Sequence, residues 1–170
     1  GGDTREHLAR SMDAWQKLSQ DAGLKAAPAQ TYTSQMQDNP LLADWKTPFG
    51  VPPFPAIKEE HFVPAIKAGM AQQLQEVATI STATSAPGFE NTIVALENTG
   101  QMLDQVNSVF SNLLGAETND KLQEAAKELA PLQAAHRDAI LLNETLFRRV
   151  KAVWDIRDKC QLTPEQSMLL

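Results

Sequence analysis

Residues 87 to 97 read Pro87-Gly88-Phe89-Glu90-Asn91-Thr92-Ile93-Val94-Ala95-Leu96-Glu97, and this stretch decides the fold class. Pro87 and Gly88 stop the segment before them. Phe89, Ile93 and Leu96 then fall on one face of a new helix. A chain that closes one helical stripe and opens another within a few residues is built from packed helices. No group in the stretch is a catalyst by its chemistry alone.

The same pattern extends in both directions. Glu59 to Ile80 places Phe62, Ile66, Met70, Leu74 and Val77 on one stripe, and Pro64 is tolerable in its first turn, where a missing N–H costs little. Asn91 to Leu114 reads as one helix, with Ile93, Leu96, Leu103, Val106, Phe110 and Leu113 in phase. Asn119 to Leu142 carries Leu122, Ala126, Leu129, Leu132 and Ile140, with a kink expected at Pro131. Leu146 to Lys159 carries Val150, Val153 and Trp154. Asn119 and Asn143 suit N-caps, because a short side-chain oxygen can accept the free N–H groups of a first turn. Gly69 and Gly100 sit inside these patterns, where each costs about 1 kcal/mol relative to Ala; close helix packing or local looseness is the reason to keep them. Neither strand alternation nor an internal repeat competes. The expectation is an all-α fold, an antiparallel bundle of about four to six helices.

Two further segments frame the bundle. Pro40, Pro48, Pro52, Pro53 and Pro55 forbid a regular helix there, while Trp45, Phe49 and Phe54 make a disordered spacer a poor description. That composition predicts an extended strap whose side chains dock on a helical body. Before it, residues 3 to 22 repeat Leu8, Met12, Trp15 and Leu18 at helical spacing, with Asp3 or Thr4 as cap. Asp21 to Asn39 is an Ala, Gln, Ser and Thr linker. The division is therefore an amino-terminal extension over 1–38 and a helical region over 39–170. At the other end Thr163-Pro164-Glu165-Gln166 is a capping box with Pro at the first helical position. A helix begun there and ending in Met168-Leu169-Leu170 reads as a fragment of a longer protein.

Composition narrows the classes. A length of 170 residues suits one domain with a real core, and 42% hydrophobic with 21% charged residues is ordinary for a soluble globular protein. The net charge of −6 argues against nucleic acid, which asks for a basic surface. Apolar runs stay well short of the roughly 18 residues of a membrane span. Cys160 is the single cysteine, so no internal disulfide forms.

Three blocks then align. The first is Asn39-Pro40-Leu41-Leu42, followed by Pro48-Phe49-Gly50-Val51-Pro52-Pro53-Phe54 and Ile57 through His61-Phe62-Val63-Pro64-Ala65. The second is Phe89-Glu90-Asn91-Thr92-Ile93 with Leu96-Glu97. The third is Thr118-Asn119-Asp120 with Leu122-Gln123, then Leu162-Thr163-Pro164-Glu165-Gln166. Together they resemble the amino-terminal region of bacterial peptidyl-dipeptidases, in the thimet-oligopeptidase family of zinc metallopeptidases. The Phe89 and Thr118 blocks are closer to the dipeptidyl carboxypeptidase branch than to the oligopeptidase A branch. The resemblance implies a large two-lobed helical enzyme around a deep channel. Its zinc is held by a His-Glu-x-x-His helix and a downstream Glu, and its substrates are short peptides that lose C-terminal dipeptides. The amino-terminal helices wall that channel.

The zinc motif needs two His four residues apart on one helix face, with Glu beside the first as general base. His7, His61 and His136 have no such neighbour, so the resemblance carries no catalytic, cofactor-binding or metal residue onto this sequence. The chain alone is expected to be inactive and to hold no zinc. His61 reads as a polar helix-start residue and His136 as a satisfied boundary histidine. Cys160 has no base to activate it and reads as an inert thiol. Glu90 suits a first-turn dipole partner and Glu97 a solvated position, rather than an acid–base pair. Lys121, Lys127 and Arg137 form a solvated face. The expected partners are the remaining catalytic region and, through it, short peptides; self-association is expected of the isolated chain through uncovered apolar faces. The other reading is a stand-alone helical interaction module. A small-residue start and a linker suit the mature end of a periplasmic or lipid-tethered protein, and equally a cytoplasmic enzyme with a tail; the cell envelope is the reading taken.

Overall fold

A computed structural model describes residues 39–43, 45, 51–116, 119–159 and 162–168. The first helical pattern becomes α1, Phe62–Ser81, entered from a single 3-10 turn over Glu59–His61. Pro64 lies in its first turn, as its missing N–H requires. In the first half of α1 Ala65, Ile66, Ala68, Gly69 and Met70 are all buried, which is burial around most of the helix rather than along one stripe. Accordingly α1 is the central element. The others are α2, Gln101–Ala116, α3, Asp120–Leu141, α4, Glu144–Asp155, and a short α5, Pro164–Met168. Helices alone supply the regular structure of the described residues, and the all-α expectation holds.

Contacts fix the directions. Phe62 meets Phe110 with ring centroids 5.1 Å apart, while Gly69 faces Leu103, so α2 runs antiparallel to α1. Glu59 bonds Asn119, Lys67 bonds Glu128 and Gln73 bonds His136, so α3 runs beside α1 in the same sense. This up–down–up arrangement places one core between the three helices, built on Phe62, Ile66, Met70, Leu103, Val106, Phe110, Leu122 and Leu129. A second cluster forms where Leu146 of α4 meets Val77 and Ile80 at the far end of α1.

The strap docks partly. Leu41 is 2% exposed and enters the main core, and Leu42, Trp45 and Ile57 pack against it. Asn39 fixes the entry: its Oδ1 accepts from Leu41 N–H at 3.0 Å and its Nδ2 donates to the His61 carbonyl at 2.9 Å. Phe54, expected to dock, is exposed, while Phe49 lies outside the described residues. So do His7, Cys160, the amphipathic segment 3–22 and the linker that follows it as far as residue 38.

The Asn91–Leu114 pattern is not one helix. Phe89–Val94 is a π-helical turn, Ala95–Glu97 one α-turn, and the chain breaks at Asn98–Gly100 before α2. Gly100 has φ +78°, a conformation that an L side chain adopts only with strain, so it is a turn glycine rather than a helical one. Asn98 Nδ2 and Thr99 Oγ1 donate back to the carbonyls of Val94 and Leu96, both at 2.8 Å, and so satisfy the end of the first piece. Gly69 is the close-packing case: a Cβ there would lie 2.9 Å from Leu103 Cα. Pro131, where a kink is expected, lies inside α3, which is helical from Asp120 to Leu141. The fourth pattern ends earlier than read, at Asp155, with a 3-10 turn over Arg157–Lys159, and Trp154 is half exposed rather than on the buried stripe.

Candidate functional site

Local capping chemistry places the helices that carry the polar groups. Asn119 Oδ1 accepts from Lys121 N–H at 2.9 Å and Asn143 Oδ1 from Leu146 N–H at 2.9 Å, so both expected N-caps are made. Thr163 and Gln166 exchange the two bonds of a capping box, at 2.9 and 3.2 Å. Asn119 has a second role, since its Nδ2 donates to Glu59 Oε1 at 2.8 Å. Hydrogen bonds from the backbone N–H of Glu59 itself and then from Asn119 hold that carboxyl below its usual value of 4.5.

Two polar assemblies lie inside the bundle. In the first, the Gln73 side chain bridges two elements: its Nε2 donates to Thr99 Oγ1 at 3.3 Å, and its Oε1 faces His136 Nε2 at 2.8 Å. Since that oxygen can only accept, His136 carries its proton on Nε2. Next to it Glu76 Oε2 accepts from Gly100 N–H at 2.8 Å. His136 is only 5% exposed, and burial pushes its imidazole below the usual 6.5. Its Nδ1 is buried without a partner among the described residues. His136 is therefore more deeply buried and less completely satisfied than a boundary residue.

The second assembly is a clamp on the opening stretch of sequence. Arg149 of α4 is 7% exposed. Its Nη1 donates to the carbonyls of Ala83 and Ser85 at 2.8 and 3.1 Å, and its Nη2 approaches Asn91 Oδ1 and Thr92 Oγ1 at 3.4 and 3.5 Å. Asn91 Oδ1 also accepts from Gly88 N–H at 2.8 Å, which fixes the start of the π-helical turn. Phe89 and Ile93 of that turn then pack on Val153 of α4. Sequence reasoning missed Arg149, and a cation on the apolar side of a strongly amphipathic helix was the available signal.

The other weighed residues stay apart. His61 Nδ1 accepts from Lys58 N–H at 3.1 Å at the entry to α1, a helix-start role. Glu90 and Glu97 are exposed, as are Lys121, Lys127 and Arg137. Among the described residues no group of three or more His, Cys, Asp or Glu side chains is arranged to hold a metal ion. Both assemblies tie helices of the bundle together.

Comparison with known proteins gives this helical frame a context. No family model matches the chain. It is 39% identical over 135 residues, 79% of its length, to a dipeptidyl carboxypeptidase of Salmonella typhimurium, and 39% identical over 132 residues to that of Escherichia coli. Similarity to an oligopeptidase A of Salmonella typhimurium is 30% over 120 residues, 71% of the chain. The chain belongs to the dipeptidyl carboxypeptidase and oligopeptidase A family of peptidases. The matched stretch is 20% of the first of these relatives and 19% of the second, so the chain spans about one fifth of their length. The zinc that this peptidase family implies does not fit the residues present, because none of His7, His61 and His136 has a His four positions away and no alternative ligand group forms among the described residues.

Proposed function

We propose that this helical region is the non-catalytic part of a zinc-dependent peptidyl-dipeptidase and forms wall of the channel that admits short peptides. The observation that carries this reading is the 39% identity to two dipeptidyl carboxypeptidases over more than three quarters of the chain. The build of the region supports it. Its polar side chains are spent on joining helices: Gln73 and His136 tie α3 to α1, and Arg149 ties α4 to the Ala83–Thr92 segment. A wall needs such rigidity, and it needs no nucleophile or metal of its own. In the parent protein the zinc and the general base would come from residues outside this chain. The region would contribute shape, admitting extended peptides and excluding folded ones.

The test is product analysis on the longer protein that carries this region. With an N-blocked tetrapeptide it releases the C-terminal dipeptide, which mass spectrometry detects, and a folded protein substrate stays intact. Internal cleavage of longer peptides without dipeptide release moves the assignment to oligopeptidase A. Absence of any peptide hydrolysis in the zinc-loaded protein removes it.

A further inference from the structure

Three hydrogen bonds lead from α3 to the Asn98–Gly100 break, and their direction is fixed. The Leu96 carbonyl can only accept, so the Thr99 hydroxyl donates to it at 2.8 Å. That leaves Thr99 Oγ1 its lone pairs, and Gln73 presents Nε2 to them at 3.3 Å. Gln73 Oε1 is thereby turned to His136, whose Nε2 donates to it at 2.8 Å. The neutral imidazole keeps its free lone pair on Nδ1, which is buried and has no partner among the described residues. Gly100 makes this approach possible, because a Cβ there would run into the Gln73 amide. A separate bond joins Gly100 N–H to Glu76 Oε2 at 2.8 Å, while Glu76 Oε1 accepts from Gln72 Nε2 at 2.9 Å.

The relay sits where two sets of contacts meet. After the break, α2 shares the main core with α1 and α3. Before it, the chain is held to α4 by Arg149 and by Phe89 and Ile93 on Val153. A second proton on His136 has only Nδ1 to occupy. There it would be a buried N–H with no acceptor, on a charge stripped of its hydration. The surrounding charges do not relieve this. Glu76 of α1 already uses both oxygens. Asp104 of α2, Glu97 before the break, and Arg137 and Asp138 of α3 are all exposed. On α4, Glu144 and Arg148 pair with each other and Arg149 faces carbonyls. The imidazolium is relieved only by turning out to water, which withdraws the donor from Gln73. Burial acts on the imidazole in the same sense, holding it below the usual 6.5.

We infer that His136, Gln73 and Thr99 form a pH-operated latch on the Asn98–Gly100 joint, closed by the neutral imidazole and released when a second proton arrives. Release loosens the joint between the 83–97 segment and α2. The Glu76 bond to Gly100 does not involve His136 and remains as a pin.

Hydrogen exchange of the longer protein, read by mass spectrometry of its peptides and corrected for the intrinsic effect of pH, tests the latch. Residues 99–104 are expected to lose up to about tenfold in protection between about pH 7.5 and pH 5.5, because a histidine of pKa about 6.5 in the open state takes up a proton that the closed state refuses. Protection of residues 83–92, which Arg149 holds, should stay level. His136→Gln can still donate to Gln73 but does not titrate. It should keep the protection seen at pH 7.5 and abolish the fall. Thr99→Val keeps the shape and removes the acceptor. It should lower protection of 99–104 already at pH 7.5 and leave no further fall on acidification. Unchanged or greater protection of 99–104 at pH 5.5 overturns the inference, as does an equal fall over 83–92. Persistence of the fall in either variant overturns it too. Should His136→Gln fail to fold, the parent and Thr99→Val decide. No substrate is needed, so the result stands apart from the peptidase reading.

Discussion

Replacing Gly69 by Ala and Gly115 by Ala should shift stability in opposite directions, although both glycines lie in helices. At Gly69 the added Cβ would sit 2.9 Å from Leu103 Cα and 3.1 Å from Leu103 Cβ. Carbon atoms pack best at about 3.5–4.0 Å, so α1 and α2 must part by roughly 0.6–1 Å at this point. The obstacle is backbone and cannot rotate away. The same movement loosens Met70, Val106 and the Phe62–Phe110 contact, which share that interface. Overpacking of this kind costs about 1–3 kcal/mol, and the better helix propensity of Ala returns about 1 kcal/mol. A net loss of up to about 2 kcal/mol follows, or a fall of up to about 8 °C in the unfolding midpoint at this size. Gly115 is exposed, and a Cβ there meets nothing within 4 Å. Ala should stabilise that site by up to about 1 kcal/mol, a rise of at most about 4 °C. Circular dichroism melts of the two variants beside the parent read both shifts. An unchanged or higher midpoint for Gly69→Ala would falsify the close-packing account of the α1–α2 contact.

Three more substitutions test the polar ties. Arg149→Leu strips donors from the Ala83 and Ser85 carbonyls and should cost about 2–4 kcal/mol in urea unfolding, with faster proteolysis near residues 83–88; wild-type cleavage rates there would sink the clamp. His136 has a depressed value in the folded state, so its contribution to stability is complete above pH 6.5 and is lost as pH falls through the folded value. His136→Gln should flatten the stability difference between about pH 7 and pH 5 that the parent shows in paired melts. Asn119→Ala removes an N-cap worth about 1 kcal/mol. It should also let the Glu59 carboxyl titrate nearer 4.5 in an NMR pH series, because one of the two bonds that lower it is gone. Stability tied to Glu59 is present above 4.5 and disappears as pH falls through its folded value, so the variant should lose less on acidification.

How far the sequence could be read depended on whether a feature is local. The caps at Asn119, Asn143 and Thr163 use partners two or three residues away, and their residue types state the geometry. Helical spacing likewise identified large buried residues such as Phe62, Ile66, Met70, Leu103, Val106 and Phe110, but not Ala65, Ala68 or Val109 beside them. The break at Asn98–Gly100 was hidden because Leu96 and Leu103 are seven residues apart, a spacing that keeps one stripe in phase across a turn. Only the backbone reveals the positive φ of Gly100. Arg149 offered a signal of its own, a cation on an apolar helix side, but its role stayed hidden because its partners lie 57 to 66 residues away and two are carbonyls, which carry no residue signature. His136 was misjudged because its burial depends on Gln73 of α1 arriving from 63 residues away. Trp154 has the apolar character of the stripe but sits on a flank where it stays 45% exposed, with Arg157 over its ring.

The central claim is that this region belongs to the architecture of a peptidase and holds none of its chemistry. Hydrolysis of an N-blocked tetrapeptide by the purified 170-residue chain in the presence of zinc tests that most directly. The account predicts no dipeptide above the rate of buffer alone, at any chain concentration. Dipeptide release that rises in proportion to the chain and stops when zinc is chelated would contradict it.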